Sequence, residues 1–254
     1  MVKAVLLDVA GVLYDGERAV PGAVDAVARL RETGLPLRFL TNSTRSPRRV
    51  LLSRLGRLGI RVAPDELFTP AKAATAILAQ RGLVPHLLVH PDLLEDFEGG
   101  VTDGAETAVV VGDAGRDFTY DRLNAAFRVL TGGAAFYALA ANRNFRDADG
   151  ELSMDAGAFV AALEYASGRQ AEVLGKPAQG FFNAALEDMG VAAPEAAMIG
   201  DDAEADVAGA LSAGIGRAVL VRTGKYRPGD EQRFSPRPSD VARDVGHAVD
   251  ILLS

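Results

Sequence analysis

Short, nearly unbroken apolar runs recur along this chain with helical stretches between them, and that alternation limits its fold more than any other feature. Residues 2–9 (VKAVLLDV) are apolar almost without a gap, which predicts a strand covered on both faces rather than wet on one. Residues 20–33 carry Val24, Val27, Ala28 and Leu30 on one stripe and stop at Gly34, the pattern of a helix and its terminator. Residues 35–40 predict the next buried strand. Residues 47–58, ended by Gly59, and residues 70–81 predict two further helices. Strands alternating with helices in this way require a parallel sheet with helices on both faces, so the expected class is α/β, doubly wound and Rossmann-like.

The texture changes in the middle of the chain. Residues 108–111 and 134–140 predict strands, with an amphipathic helix at 120–130 between them. Residues 144–155 are polar and rich in Asp and Gly and predict a loop, followed by a helix at 158–166 and a strand at 171–174. The first pattern then resumes with a helix at 180–189, a strand at 196–200, a helix at 206–213, a strand at 218–221 and a last helix at 240–253. Residues 228–238 read as a surface loop. The 254 residues suffice for one large α/β domain or for a core with an inserted one.

Composition removes several function classes. The net charge of −7 comes with no basic stripe, so nucleic acid is not an expected partner. No stretch approaches the ~20 apolar residues that span a bilayer. No leader pattern precedes residue 8, so the expected location is the cytoplasm. The chain has no cysteine, which excludes disulfide and thiol chemistry. His86, His90 and His247 are scattered, and ordinary surface positions account for them.

Four polar clusters interrupt the apolar pattern, each just after a predicted strand. The first is Asp8-Val9-Ala10-Gly11, a carboxylate closing a buried strand. Ligands of open α/β sheets bind beyond the carboxyl ends of strands, although an aspartate there also serves as a turn or helix cap. The second is Thr41-Asn42-Ser43, whose hydroxyl and carboxamide suit phosphate oxygens, or simply a polar strand exit. The third is Gly175-Lys176-Pro177, where proline keeps Lys176 out of a helix. The fourth is Asp201-Asp202 with Asp206 four residues on. Carboxylates packed at a strand end call for a cation, and an oxygen-only set suits a hard ion such as Mg²⁺.

In that order (Asp, Thr, Lys, Asp-Asp) and context, the clusters resemble the four motifs of the haloacid dehalogenase (HAD) superfamily. Residues 40–45, 124–127, 159–165, 175–177 and 221–225 resemble its subfamily IIA, and within it the branch that holds phospholysine phosphohistidine inorganic pyrophosphate phosphatase. The resemblance spans essentially the whole chain. It implies a Mg²⁺-dependent phosphohydrolase acting on a small phosphorylated substrate, with Asp8 as nucleophile and Lys176 neutralising charge. It also implies Thr41, Asn42 and Lys176 on the phosphoryl oxygens, Asp8, Asp201 and the Ala10 backbone carbonyl on the metal, and Asp202 and Asp206 in support. Residues 1–82 and 173–254 would form the core, and residues 83–172 the smaller inserted α/β cap. Asn142, Arg143 and Asp155 are cap candidates for substrate contact, and a homodimer formed through the cap fits the subfamily.

One position departs from the pattern. Residue 10, two after the nucleophile, is a second aspartate in most of the family and serves there as general acid and base. Here it is alanine. Alanine retains the backbone carbonyl and loses proton transfer, a contribution of about 10²–10⁴ in rate. The expectation is a phosphatase that is slow or restricted to leaving groups needing no proton. The alternatives are a phosphate-ligand binding or regulatory protein on the same fold, or an acid/base supplied from elsewhere. A dinucleotide site finds no support, because Gly209, Gly214 and Gly216 lie on and beyond a predicted helix rather than between strand and helix.

Overall fold

Every residue of the Ala4–Asp8 strand is buried, as its unbroken apolar run requires of a strand with helices on both sides. In the computed structural model, which describes residues 2–104, 106–146 and 151–254, this strand lies inside a six-stranded sheet. Leu37–Leu40 and Leu67–Phe68 flank it on one side, and Ala196–Gly200, Arg217–Val221 and Asp240–Ala242 on the other. All the pairings are parallel. Numbered along the chain, the spatial order is 3-2-1-4-5-6, the doubly wound arrangement.

Period-two alternation sends successive residues to opposite faces. Val5, Leu7, Leu37, Phe39, Ile199, Val219 and Val221 meet Val27 and Leu30 of the Ala23–Glu32 helix and Val245 and Val249 of the Val245–Leu253 helix. Phe181 and Phe182, on the Gln179–Glu187 helix, are also fully buried. Such aromatic and branched side chains stabilise by about 1.5–3 kcal/mol each when buried.

The chain divides into two compact units. One comprises Met1–Thr41, Arg49–Phe68 and Lys176–Ser254, and the other Asn42–Arg48 and Thr69–Gly175. The second unit has its own parallel sheet, in the order Glu172–Val173, Ala135–Ala138, Glu106–Val111, Leu83–Leu88. The Tyr120–Thr131 and Ala156–Ser167 helices pack on it through Ala126, Leu130, Val160 and Leu163. No helix among the described residues is long and apolar enough to cross a membrane.

Several elements differ from the sequence expectation. Residues 144–155, expected as a loop, hold the antiparallel strands Asn144–Arg146 and Leu152–Met154; residues 147–150 lie outside the described residues. The predicted last helix begins instead with an edge strand, Asp240–Ala242, paired to Arg217–Val221. Its helix starts at Val245 because the Asp244 carboxylate caps it by accepting the His247 N–H at 2.8 Å. Within 228–238 there is a short helix, Asp230–Arg233. The helix expected at 206–213 starts earlier, as a wide turn over Ala203–Ala208 that leads into Gly209–Ser212.

Candidate active site

Strand register alone brings most of the polar clusters together. Leu7 pairs with Ile199 and Asp8 with Leu40, so the carboxyl ends of three adjacent strands deliver Asp8, Thr41 and Asp201 to one edge of the sheet. That edge is where the strand order reverses, between Ala4–Asp8 and Ala196–Gly200, the place where such sheets bind ligands.

Lys176 is the hub of the site. It is 4 % exposed, and its Nζ donates to Asp8 Oδ1 and, at 2.6 Å, to Asp206 Oδ1. Asp206 accepts the Asp202 N–H on its other oxygen at 3.1 Å, so both of its oxygens are committed. Gly200 makes this possible, because a Cβ there would lie 2.5 Å from Asp206 Oδ2. The wide turn that carries Asp206 is held by Asp202, whose Oδ1 accepts the N–H groups of Glu204 and Ala205. That turn contains a Val207 N–H to Asp202 carbonyl bond, the i→i+5 pattern that often marks functional helix starts. Pro177, next to the lysine, packs against Gly209, where a Cβ would lie 2.7 Å from the proline ring.

Asp201 lies in a slot of backbone. Its Oδ2 accepts the Lys225 N–H at 2.6 Å. Gly11, at φ 90°, and Gly224, at φ 58°, pack together beside Oδ2, since a Cβ on either would overlap the carboxylate. Oxygens of Asp8, Asp201 and Asp206 all lie within 4.8 Å of one another.

The electrostatics follow from burial. Loss of water pushes the Asp8 carboxyl well above its ordinary value, with Asp206 and Asp201 adding to the rise and Lys176 opposing it. Burial and then Asp206 raise Asp201 to about 6. Burial would lower the Lys176 ammonium, but Asp206 and Asp8 outweigh it and push the value up, so the lysine stays charged. Asp202 goes the other way: burial works to raise it, but Lys225 and two N–H donors hold it below the usual carboxylate range. Asp8, Asp201 and Asp206 are thus three carboxylates against the buried Lys176 ammonium, with the more exposed Lys225 also acting on Asp201. A divalent cation would balance them, and the donors are all hard oxygens. Both Asp206 oxygens already accept hydrogen bonds, whereas Asp8 and Asp201 each keep an oxygen with none among the described residues, so of the three carboxylates that could hold a metal these two are the better fitted. The Ala10 carbonyl is fitted too. The Gly11 N–H of the same peptide donates to the Tyr14 carbonyl at 2.7 Å, and a planar trans peptide turns its C=O the opposite way.

Thr41 is buried, with its N–H on the Phe68 carbonyl at 3.2 Å. Asn42 begins the second unit, where its Oδ1 lies 2.9 Å from the point that a Cβ on Gly175 would occupy; only glycine fits there. Asn142 and Arg143 are exposed, and their carbonyls accept the Gly157 and Asp155 N–H groups. The Asp155 carboxylate is buried and caps the Ala156–Ser167 helix through Ala156 N at 2.7 Å. Two contributors escaped the sequence reading. The Tyr14–Asp15 and Arg18–Ala19 hairpin supplies the carbonyl that orients Gly11. Thr223 donates from Oγ1 to the Gly11 carbonyl at 2.6 Å. Residues 221–225 carried a family signature, but no local signal tied them to residue 11.

Comparison with known proteins agrees with this geometry. Residues 5–100 match the family described as haloacid dehalogenase-like hydrolase, and residues 173–248 one described as HAD-hydrolase-like. The chain is 47 % identical over 260 residues to phospholysine phosphohistidine inorganic pyrophosphate phosphatase of Xenopus laevis, covering all of this chain and 95 % of the relative. It is 43 % identical to haloacid dehalogenase-like hydrolase domain-containing protein 2 of Bos taurus, covering 99 % and 96 %. Among solved structures, 4-nitrophenylphosphatase of Thermotoga maritima superposes with a TM-score of 0.88 at 28 % identity, covering 98 % and 97 %.

Proposed function

Because the chain belongs to the haloacid dehalogenase-like hydrolase family and is a phosphatase of that family, we propose that it hydrolyses small phosphorylated compounds through an aspartyl-phosphate on Asp8, with Mg²⁺ as cofactor. One Asp8 oxygen attacks phosphorus, the bond to the leaving group breaks, and the leaving group departs with the electron pair. Water then attacks phosphorus, the bond to Asp8 breaks, and phosphate and the carboxylate are regenerated. Lys176 neutralises charge on Asp8 and the phosphoryl group, and Thr41 and Asn42 hold phosphoryl oxygens. Asp8, Asp201 and the Ala10 carbonyl would hold Mg²⁺, which supplies charge neutralisation and a template for the phosphoryl oxygens. Asp206 and Asp202 orient that set.

The observation that carries the finer reading is Ala10. With no acid at residue 10, the leaving group must depart unaided or bring its own proton. Aryl phosphates and pyrophosphate do the first. Phosphoramidates do the second, because the bridging nitrogen is basic enough to arrive protonated. The name of the Xenopus relative covers phospholysine, phosphohistidine and pyrophosphate, which supports this substrate class here. Residues 83–172 are read as the inserted cap, with the exposed Asn142 and Arg143 better placed for substrate contact than Asp155, whose carboxylate is committed to its helix. Exposed Tyr120, Leu152, Met154 and Tyr165 in the same segment support a homodimer through the cap, and the reading places the reaction in the cytoplasm.

The test is hydrolysis of p-nitrophenyl phosphate beside an alkyl phosphate, with and without Mg²⁺. Mg²⁺-dependent cleavage of the aryl ester at a rate far above that of the alkyl ester is expected. Equal kcat/KM on both would remove the leaving-group argument. Ala10 also favours a second reading, a phosphate-ligand binding or regulatory protein. In that case neither ester is cleaved, while phosphate and Mg²⁺ still raise the melting temperature.

A further inference from the structure

Residues 221–225 carry a subfamily likeness without an assigned role, and their contacts suggest one. Three consecutive residues reach three parts of the site. The Thr223 hydroxyl donates to the Gly11 carbonyl at 2.6 Å. Gly224 packs against Gly11 so closely that a Cβ on it would lie 2.5 Å from the Gly11 Cα. Lys225 donates its N–H to Asp201 Oδ2 at 2.6 Å and its ammonium to Asp202 Oδ2 at 3.2 Å.

These contacts converge on two groups that follow different strands, the Asp201 carboxylate and Gly11, the residue next to the Ala10 carbonyl. A carboxylate at a strand end is otherwise free to rotate. Here Oδ2 is pinned by the Lys225 N–H and crowded by the paired Gly11 and Gly224, so the direction of the other oxygen is restricted. The Ala10–Gly11 peptide is held by Tyr14 through the Gly11 N–H, and the next carbonyl, that of Gly11, is held by Thr223. With both sides of Gly11 fixed, the direction of the Ala10 carbonyl is fixed as well.

We propose that the Thr223-Gly224-Lys225 turn is a positioning element for the metal site, presetting Asp201 and the Ala10 carbonyl relative to each other before the cation binds. The inference rests on the Mg²⁺-dependent reading above. Groups that orient metal ligands typically contribute 10–100-fold in metal affinity. Thr223 is only partly buried, so its substitution disturbs little packing.

The experiment is calorimetric titration of Mg²⁺ into the metal-free full chain, for the wild type and for Thr223→Val and Thr223→Ser, with the melting temperature of each recorded without Mg²⁺. Thr223→Val is expected to weaken the Mg²⁺ Kd by about 10–100-fold. Thr223→Ser, which keeps the hydroxyl, is expected to bind as the wild type does. If Thr223→Val fails to fold, Thr223→Ala removes the hydroxyl without the added methyl and carries the same expectation. An unchanged Kd in the variants lacking the hydroxyl overturns the proposal, even if they melt at a lower temperature, because that result is what a merely structural bond gives. A wild type that binds no Mg²⁺ overturns the functional reading itself, and this inference with it.

Discussion

Changing Ala10 to aspartate puts a proton donor back at the position where most of the family carries one, and the structure allows the consequence to be sized. Ala10 is exposed, so the new carboxylate is not forced into the interior. Asp8 and Asp201 belong to the same site, and like charges nearby would raise the pKa of an added acid. A raised value suits a group that must arrive protonated and donate. General acid assistance is worth about 10²–10⁴ in rate, or roughly 3–5 kcal/mol of barrier at 1.36 kcal/mol per tenfold. The assay has to separate the two chemical steps. A base at residue 10 would also speed attack of water on the aspartyl-phosphate, a step common to every substrate, so kcat alone is ambiguous. The ratio kcat/KM reports only events up to the first irreversible step, the transfer to Asp8. For an alkyl phosphate kcat/KM should therefore rise by about 10²–10⁴, whereas for p-nitrophenyl phosphate it should barely change. A rise of the same size on both substrates, or on neither, refutes the argument that the missing acid sets the leaving-group preference.

Two further outcomes follow from the same site. Asp8→Asn removes the proposed nucleophile while keeping its shape, so hydrolysis should fall to background in the same assay; substantial residual turnover would move the nucleophile elsewhere. Stability should depend on pH in an unusual direction. The folded Asp201 carboxyl titrates at about 6 against an ordinary 3.8, so its stabilising contribution, about 3 kcal/mol at 1.36 kcal/mol per unit, is present below pH ~4 and is lost as pH rises through ~6. The shift of Asp8 has the same sign. Mg²⁺ offsets the charge, so by scanning calorimetry the rise in melting temperature on adding Mg²⁺ should be larger at pH 7 than at pH 5. The reverse order would mean that no cation meets these carboxylates.

The fold was legible because a doubly wound sheet is written in local signals. The runs at residues 2–9, 35–40, 196–200 and 218–221 are too apolar for a one-sided sheet, and Gly34 and Gly59 punctuate the helices between them. Asp8, Thr41 and Asp201 stood out because each is polar at the end of such a run. What stayed hidden is non-local. Lys176 and Asp8, 168 residues apart, were brought together only by the family resemblance, and Thr223 and Gly11, 212 apart, by nothing in the sequence, because no spacing rule connects either pair. The Asp240–Ala242 strand merged with its helix, because a three-residue edge strand has no period to read and only the Asp244 cap separates the two. The 144–154 hairpin was hidden for a similar reason. Its strands are only three residues each, too short to show a period, and the Asp and Gly residues around them read as a loop.

How the oxygens are distributed in the site says which substrates it can serve. Asp206 spends both oxygens inside the protein, one on Lys176 and one on Asp202 N–H. Its role is therefore to place the lysine and the turn. Asp8 and Asp201 each spend one, on Lys176 and on Lys225 N–H, and the second oxygen of each is uncommitted among the described residues. On the proposed reading these two oxygens and the Ala10 carbonyl would be the protein's part of a Mg²⁺ shell. Mg²⁺ prefers this kind of partial shell, because it keeps several waters and takes substrate oxygens in the remaining positions. Such a site is well supplied with groups that bind and neutralise a phosphoryl group, and poorly supplied with groups that move protons. Lys176 cannot substitute as the acid, because the carboxylates that hold it also raise its affinity for its proton. On the proposed reading, chemistry at this centre would be fast only where breaking the bond to phosphorus needs no proton from the protein, which makes leaving-group basicity the variable expected to order its substrates.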